Sequence, residues 1–95
     1  MSNEGYHKPI PELSDETMDM HRAITSLVKE LEAVDWYNQR VDVCKSDELR
    51  AILVHNQDEE KEHAAIVLEW IRRHDDTFTA ELENYLFTQK TIARR

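Results

Sequence analysis

Nothing after Pro11 obliges this chain to turn tightly, because its single glycine is Gly5 and its only prolines are Pro9 and Pro11. A β protein of 95 residues needs several turns, and turns draw on Gly and Pro for backbone angles that other residues adopt reluctantly. An all-α fold follows, with breaks between helices made by polar residues instead.

The apolar periodicity places those helices. Residues 1–13 are polar, hold the glycine and both prolines, and read as a flexible leader. Ser14 then reads as a helix N-cap, with Asp15 and Glu16 where the positive end of the helix dipole favours anions. From there to about Cys44 the residues Met20, Ala23, Ile24, Leu27, Leu31, Val34, Tyr37 and Val41 recur at three and four. Lys45, Ser46 and Asp47 form a short polar break, and a second helix runs back antiparallel to about His74 on Leu49, Ile52, Leu53, Val67, Trp70 and Ile71. After a second break at Asp75 to Thr77, the residues Phe78, Leu82, Tyr85 and Leu86 predict a short third helix. The folded unit is thus expected over 14–88, and 89–95 reads as a frayed end.

One hairpin cannot cover two stripes of this length. Helices of about 30 residues are about 45 Å long, and a single antiparallel partner leaves much of each stripe in water. The ordinary remedy is a second copy, so that two hairpins close a common four-helix bundle, and an obligate homodimer or an assembly of dimers is expected.

Charge narrows the partners. With 20 acidic against 12 basic residues, the net charge of −8 opposes a phosphate-tracking surface and hence nucleic-acid binding; cations suit it better. Cys44 is the only cysteine, which excludes an intramolecular disulfide framework and fits a reducing compartment. No apolar run reaches the roughly 20 residues of a membrane span, and the first residues lack signal-peptide character. A soluble cytoplasmic protein without membrane partners is expected.

The informative anomalies are polar groups inside the apolar stripes. Glu30 lies three after Leu27 and four before Val34 on the first helix. On the second, Asn56, Glu60, His63, Val67 and Trp70 follow one another by four or three, which places Glu60 and His63 one turn apart on a core-facing row. Glu-x-x-His pairs are how helix bundles assemble carboxylate-bridged metal pairs. The pattern alone is weak, since Glu4 and His7 share the spacing in the leader, so placement within the stripe is what counts. Two-fold pairing would gather two copies each of Glu30, Glu60 and His63, giving four carboxylates and two imidazoles. Two Fe(II) ions carry as much positive charge as four carboxylates carry negative, so a loaded site is neutral, whereas an empty one must take up protons or spread apart. Metal should therefore stabilise the pair. Such ligands suit iron or manganese and admit zinc. The same residues also fit a metal-free helical interaction module, or a metal binder without turnover, and spacing alone does not choose among them.

The segments ELEAVDWYNQRV, from Glu30 to Val41, and HNQDEEKEHAAIVLEW, from His55 to Trp70, resemble the encapsulated ferritins, ferroxidase cargo proteins of encapsulin nanocompartments. The resemblance extends from about Ser14 to Phe87, including the YLF near the end. It implies a ferritin-like four-helix bundle completed by dimerisation, a di-iron centre between two protomers and a ring-shaped homodecamer whose assembly metal promotes. It also implies an encapsulin shell as partner and a place inside that nanocompartment. By resemblance Glu30, Glu60 and His63 match the iron ligands, calcium, zinc or manganese are possible substitutes, Trp36 and Tyr37 match aromatic residues beside the centre, and Glu32 matches one position of an outer metal site. The implied reaction is oxidation of paired Fe(II) by dioxygen, with Fe(III) released for mineral storage within the shell.

Two departures from that pattern stand out. Lys29 occupies a position where the family often carries an acidic residue of the outer site, which should weaken or relocate that site without touching the inner ligands. The KTIARR segment lacks the apolar and glycine-containing extension by which such cargo usually docks. Of the remaining candidates, Trp36, Trp70 and Tyr85 read as core or interface aromatics, while the Tyr37 hydroxyl is placed to bond a ligand carboxylate. His21, His55 and His74 read as interface or surface residues, and Cys44 as an inert helix-end residue.

Overall fold

The computed structural model describes residues 5–94. Met1 to Glu4, and with them part of the leader and one half of the Glu4/His7 pair, lie outside the described residues, as does Arg95. All regular structure is helical: a single 3-10 turn at Ile10–Glu12, then α1 over Asp15–Val43, α2 over Asp47–Arg73 and α3 over Asp76–Tyr85. Among the described residues there is no strand, and no helix is long and apolar enough to cross a membrane.

Each α-helix starts on a side-chain cap that satisfies an otherwise unpaired first-turn amide. Ser14 Oγ accepts from Thr17 N at 3.1 Å, Ser46 Oγ from Leu49 N at 3.2 Å and Asp75 Oδ1 from Phe78 N at 2.8 Å. The third cap corrects the sequence reading. Asp75 to Thr77 were expected to form a break, but Asp75 is a strong capping residue, so α3 starts at Asp76. The Thr79 hydroxyl donates to Arg72 O at 2.5 Å, tying α3 to the end of α2. Beyond α3 the backbone turns at Phe87, whose φ is +57°. Arg94 reaches back to Asn84 O, Asn84 Oδ1 and Thr88 Oγ1, with its guanidinium over the Tyr85 ring at 4.4 Å.

Within the leader segment, Gly5 has φ +87° and a Cβ there would meet His21 Cε1 at 3.4 Å. This is the backbone region where glycine is at ease. It lets Tyr6 fold back so that its ring sits 4.1 Å from that of His21.

The α1–α2 hairpin is antiparallel, since Val34 faces Gln57 and Glu30 faces His63. Its seam on α2 is the row Leu53, Gln57, Glu60, Ala64, Val67 and Ile71, of which Gln57, Ala64 and Ile71 are buried. That row is rotated from the expected line through Asn56, Glu60, His63, Val67 and Trp70. The two share Glu60 and Val67, but His63 and Trp70 emerge at the seam's edge and are exposed. Alternating steps of three and four fit both rows, and only packing against α1 separates them.

Much apolar surface remains outside the seam. Ile24, Val28 and Leu31 recur at four and three along α1 and are exposed, Leu31 by 54%. On α2 Ile52, Ile66 and Trp70 share one face, fourteen and four residues apart, and are likewise exposed, Ile66 by 62%. The radius of gyration is 17.2 Å, against about 12 Å for a compact chain of this length. The chain is a thin hairpin with an α3 arm rather than a closed core.

Ile71, 1% exposed, is the best-buried large side chain. Ile71→Ala should lower unfolding free energy by about 2–4 kcal/mol, whereas Val43→Ala, at a position 73% exposed, should change it by less than about 0.5 kcal/mol. Urea denaturation of the two variants checks this, and equal effects would contradict the assignment of the seam.

Candidate metal centre

Glu30 comes from the middle of α1, and Glu60 and His63 from successive turns of α2. The hairpin brings all three together, with one ligand atom from each lying within 4.8 Å of the others. His63 Nδ1 stands 3.5 Å from Glu30 Oε2 and 3.7 Å from Glu60 Oε2, longer than good hydrogen bonds. Nitrogen and oxygen donors bind first-row metal ions at about 2.0–2.2 Å, so two donors on one tetrahedral ion stand roughly 3.4 Å apart. The spacing therefore fits a shared ion without rebuilding the backbone. The two carboxylates are about three-quarters shielded from solvent, while His63 is 47% exposed. The cluster opens outward at the edge of the seam.

Its electrostatics differ from those of an ordinary surface ion pair. Glu60 is raised above its usual 4.5, first by a hydrogen bond with Glu30, which exists only while one carboxyl is protonated, then by desolvation and by Glu30's charge, with His63 acting in the opposite direction. Glu69 is the contrast. Hydrogen bonds from Arg72 and then Arg73 lower it to about 2, through contacts of 2.6–2.7 Å. Glu69 has its cations within the chain, whereas Glu30 and Glu60 face one another with one imidazole between them.

The other sequence candidates are placed less tightly. Tyr37 is half-buried on the Glu30 side of α1, two turns further on, with Arg40 5.3 Å above its ring. Trp36 is 53% exposed, beside Gln39 and Arg40, and Glu32 is exposed. Within one chain Glu32 is not part of the cluster. His55 pairs with Glu59 at 2.5 Å, His74 stacks on Trp70, and Cys44 caps α1.

Gln57 is the residue the sequence reading missed. It is 92% buried, and its Nε2 donates to Val34 O at 3.1 Å. A buried amide bonded to the facing backbone fixes the register of the two helices, one turn from Glu60. The signal was present in its spacing, four after Leu53 and seven before Ala64, but a glutamine among exposed charges does not announce burial.

A carboxylate–imidazole cluster at the open edge of an α-helical hairpin is the kind of ligand set that helix bundles offer to metal ions. The EncFtn-like family pattern matches residues 5–89, and the chain belongs to that family. It is 55% identical over 91 residues to an encapsulated ferritin-like protein of Rhodospirillum rubrum, covering 96% of this chain and 65% of that one. A ferritin-like protein of Thermotoga maritima is 51% identical, with 92% and 76% covered. An encapsulin nanocompartment cargo protein of Myxococcus xanthus is 35% identical, with 74% and 54% covered. The chain thus spans roughly half to three-quarters of the length of these relatives. The crystal structure of a Nitrosomonas europaea protein superposes with a TM-score of 0.90 at 70% identity, covering 94% of this chain and 98% of that one.

A pH dependence follows from the Glu60 shift. Its folded-state value lies above 4.5, so the folded metal-free protein holds this proton more tightly than the unfolded chain. The contribution is complete below the unfolded value and is lost as pH rises through the folded one. Metal-free parent protein should therefore lose more stability than Glu60→Gln as pH rises from about 4 to about 7, measured by urea midpoints. Parallel profiles would contradict the raised Glu60 value.

Proposed function

We propose that two copies of this chain pair across the face bearing Glu30, Glu60 and His63 and that the pair is a ferroxidase, oxidising Fe(II) with dioxygen as cargo of an encapsulin shell. The observation that carries this reading is the convergence of those three side chains within 4.8 Å at an edge that one hairpin leaves open. Family membership and the names of the relatives support iron and the shell.

A single chain offers two carboxylates and one imidazole, enough for one ion with open positions. Pairing doubles the set, and four carboxylates then balance two Fe(II) ions, which removes the cost of collecting like charges. Because Glu60 holds its proton more tightly than an ordinary glutamate does, iron binding there competes with that proton. Glu30 and Glu60 of both chains would hold the two substrate ions, and each His63 would supply an imidazole donor. Each Fe(II) gives up one electron, and dioxygen takes two electrons and two protons to leave as hydrogen peroxide. The Fe(III) product, whose added charge the four carboxylates no longer balance, is then released for mineral storage. In the pair, Tyr37 is assigned to hydrogen-bond a ligand carboxylate, Trp36 to the aromatic surround and Glu32 to an outer metal site.

The exposed strips support assembly beyond the pair. The α2 strip of Ile52, Ile66 and Trp70 flanks His63, whereas the α1 strip of Ile24, Val28 and Leu31 contains none of the three ligands. Two distinct surfaces are what a closed ring of dimers requires, and the ring-shaped decamer is the form assigned here.

Aerobic Fe(II) oxidation by metal-stripped protein, followed by absorbance, tests the reading. Glu30→Ala, Glu60→Ala and His63→Ala should each slow it by at least about 100-fold, beyond the 10–100-fold seen for loss of groups that merely orient a ligand. Glu59→Ala, on the exposed face beside His55, should retain the parent rate. Parent protein that assembles but oxidises iron no faster than buffer would overturn the ferroxidase assignment.

A further inference from the structure

A second site lies beside this centre, on the outer side of α1. Tyr6, His21, Arg22, Thr25, Ser26 and Lys29 line one cleft. Its floor is two turns of α1, and Tyr6 of the folded-back leader forms one wall through its ring contact with His21. Among the described residues the lining carries no carboxylate, in a chain with 20 acidic residues and a net charge of −8. Every lining residue instead brings a hydrogen-bond donor: an ammonium, a guanidinium, an imidazole, two aliphatic hydroxyls and a phenol.

These donors are available. Arg22 uses Nη1 on Asp19 at 2.6 Å, which leaves Nε and Nη2. Among the described residues Lys29 takes part in no ion pair. Thr25 Oγ1 and His21 Nε2 stand 3.5 Å apart, a loose contact that an incoming acceptor can replace. Arg22, Ser26 and Lys29 follow at four and three along the helix, so one ligand can touch all of them.

We propose that this cleft binds a tetrahedral oxyanion of the phosphate class. A cation would meet the Lys29 ammonium and a guanidinium of which Asp19 occupies only one nitrogen, and an apolar ligand would strand the hydroxyls. An oxyanion satisfies both the charges and the donors, with Arg22 and Lys29 supplying charge and Thr25 and Ser26 orienting the oxygens. Ser26 of the cleft lies one turn before Glu30 on the same helix, so the site adjoins the carboxylate–imidazole cluster. Its use there rests on the ferroxidase reading: a bound phosphate would offer hard oxygen donors to Fe(III) leaving the centre. Binding itself does not rest on that reading.

The test uses metal-free full-length chain and inorganic phosphate, titrated calorimetrically in a chloride buffer of constant ionic strength. Saturable binding of one phosphate per chain is expected. Lys29→Glu and Arg22→Gln should each weaken it at least tenfold, while Lys90→Glu, which changes charge equally but is not part of the cleft lining, should not. A size-exclusion profile matching the parent's separates loss of binding from loss of assembly, and Ser26→Ala, a milder change, should weaken binding threefold or more. Absence of saturable binding, or equal losses in Lys29→Glu and Lys90→Glu, would overturn the proposal. Because no iron is present, failure here leaves the ferroxidase reading standing, and loss of ferroxidase activity would leave phosphate binding unaffected.

Discussion

Two helices packed side by side share one seam, and in this chain the seam is too narrow for the apolar side chains the helices carry. Gln57, Ala64 and Ile71 are buried in it, while isoleucines, leucines and tryptophans on both flanks remain in water. Hydrophobic burial is the dominant favourable term in folding, so most of the available stabilisation lies in contacts that a lone hairpin cannot make. The position of the carboxylate–imidazole cluster follows from the same geometry. Glu30, Glu60 and His63 sit where the seam meets an open flank, close enough to act together and exposed enough to accept further ligands.

Register decides whether those three side chains meet. A slip of one residue along α2 would rotate Glu60 and His63 by about 100° relative to Glu30. Gln57 opposes such a slip, because its buried amide has a partner in Val34 O that a shifted helix would not present, and an unpaired buried amide is costly. One neutral hydrogen bond thus holds the charged cluster in place from a turn away. Glu60, held up by Glu30, and Glu69, held down to about 2 by two arginines, show how differently one side-chain type behaves when its neighbour is another acid or a cation.

The all-helical architecture was legible because Gly and Pro are confined to the first residues and because Ser14 and Ser46 carry capping signals that the backbone obeys. The start of α3 was misplaced, since Asp75 serves equally well as a break and as a cap until the following amide is seen to bond it. The three cluster residues could be picked out as polar interruptions of apolar stripes. Their placement at the edge of the seam could not, because the rows through His63 and through Ala64 differ by one residue in a pattern whose steps of three and four fit both. Gln57 was invisible for the same reason. The cleft around His21 was hidden because its wall is the leader, which has no periodicity to read.

The claim on which the account rests is that the site is completed by pairing. Native mass spectrometry of metal-stripped chain, titrated with Fe(II) under anaerobic conditions, measures mass and metal content together without requiring turnover. Conversion of the free chain to pairs or rings of pairs, with two ions per pair and none in Glu60→Gln, is the predicted result. Iron bound by the single chain with no change in assembly, or assembly that carries no iron, would contradict it.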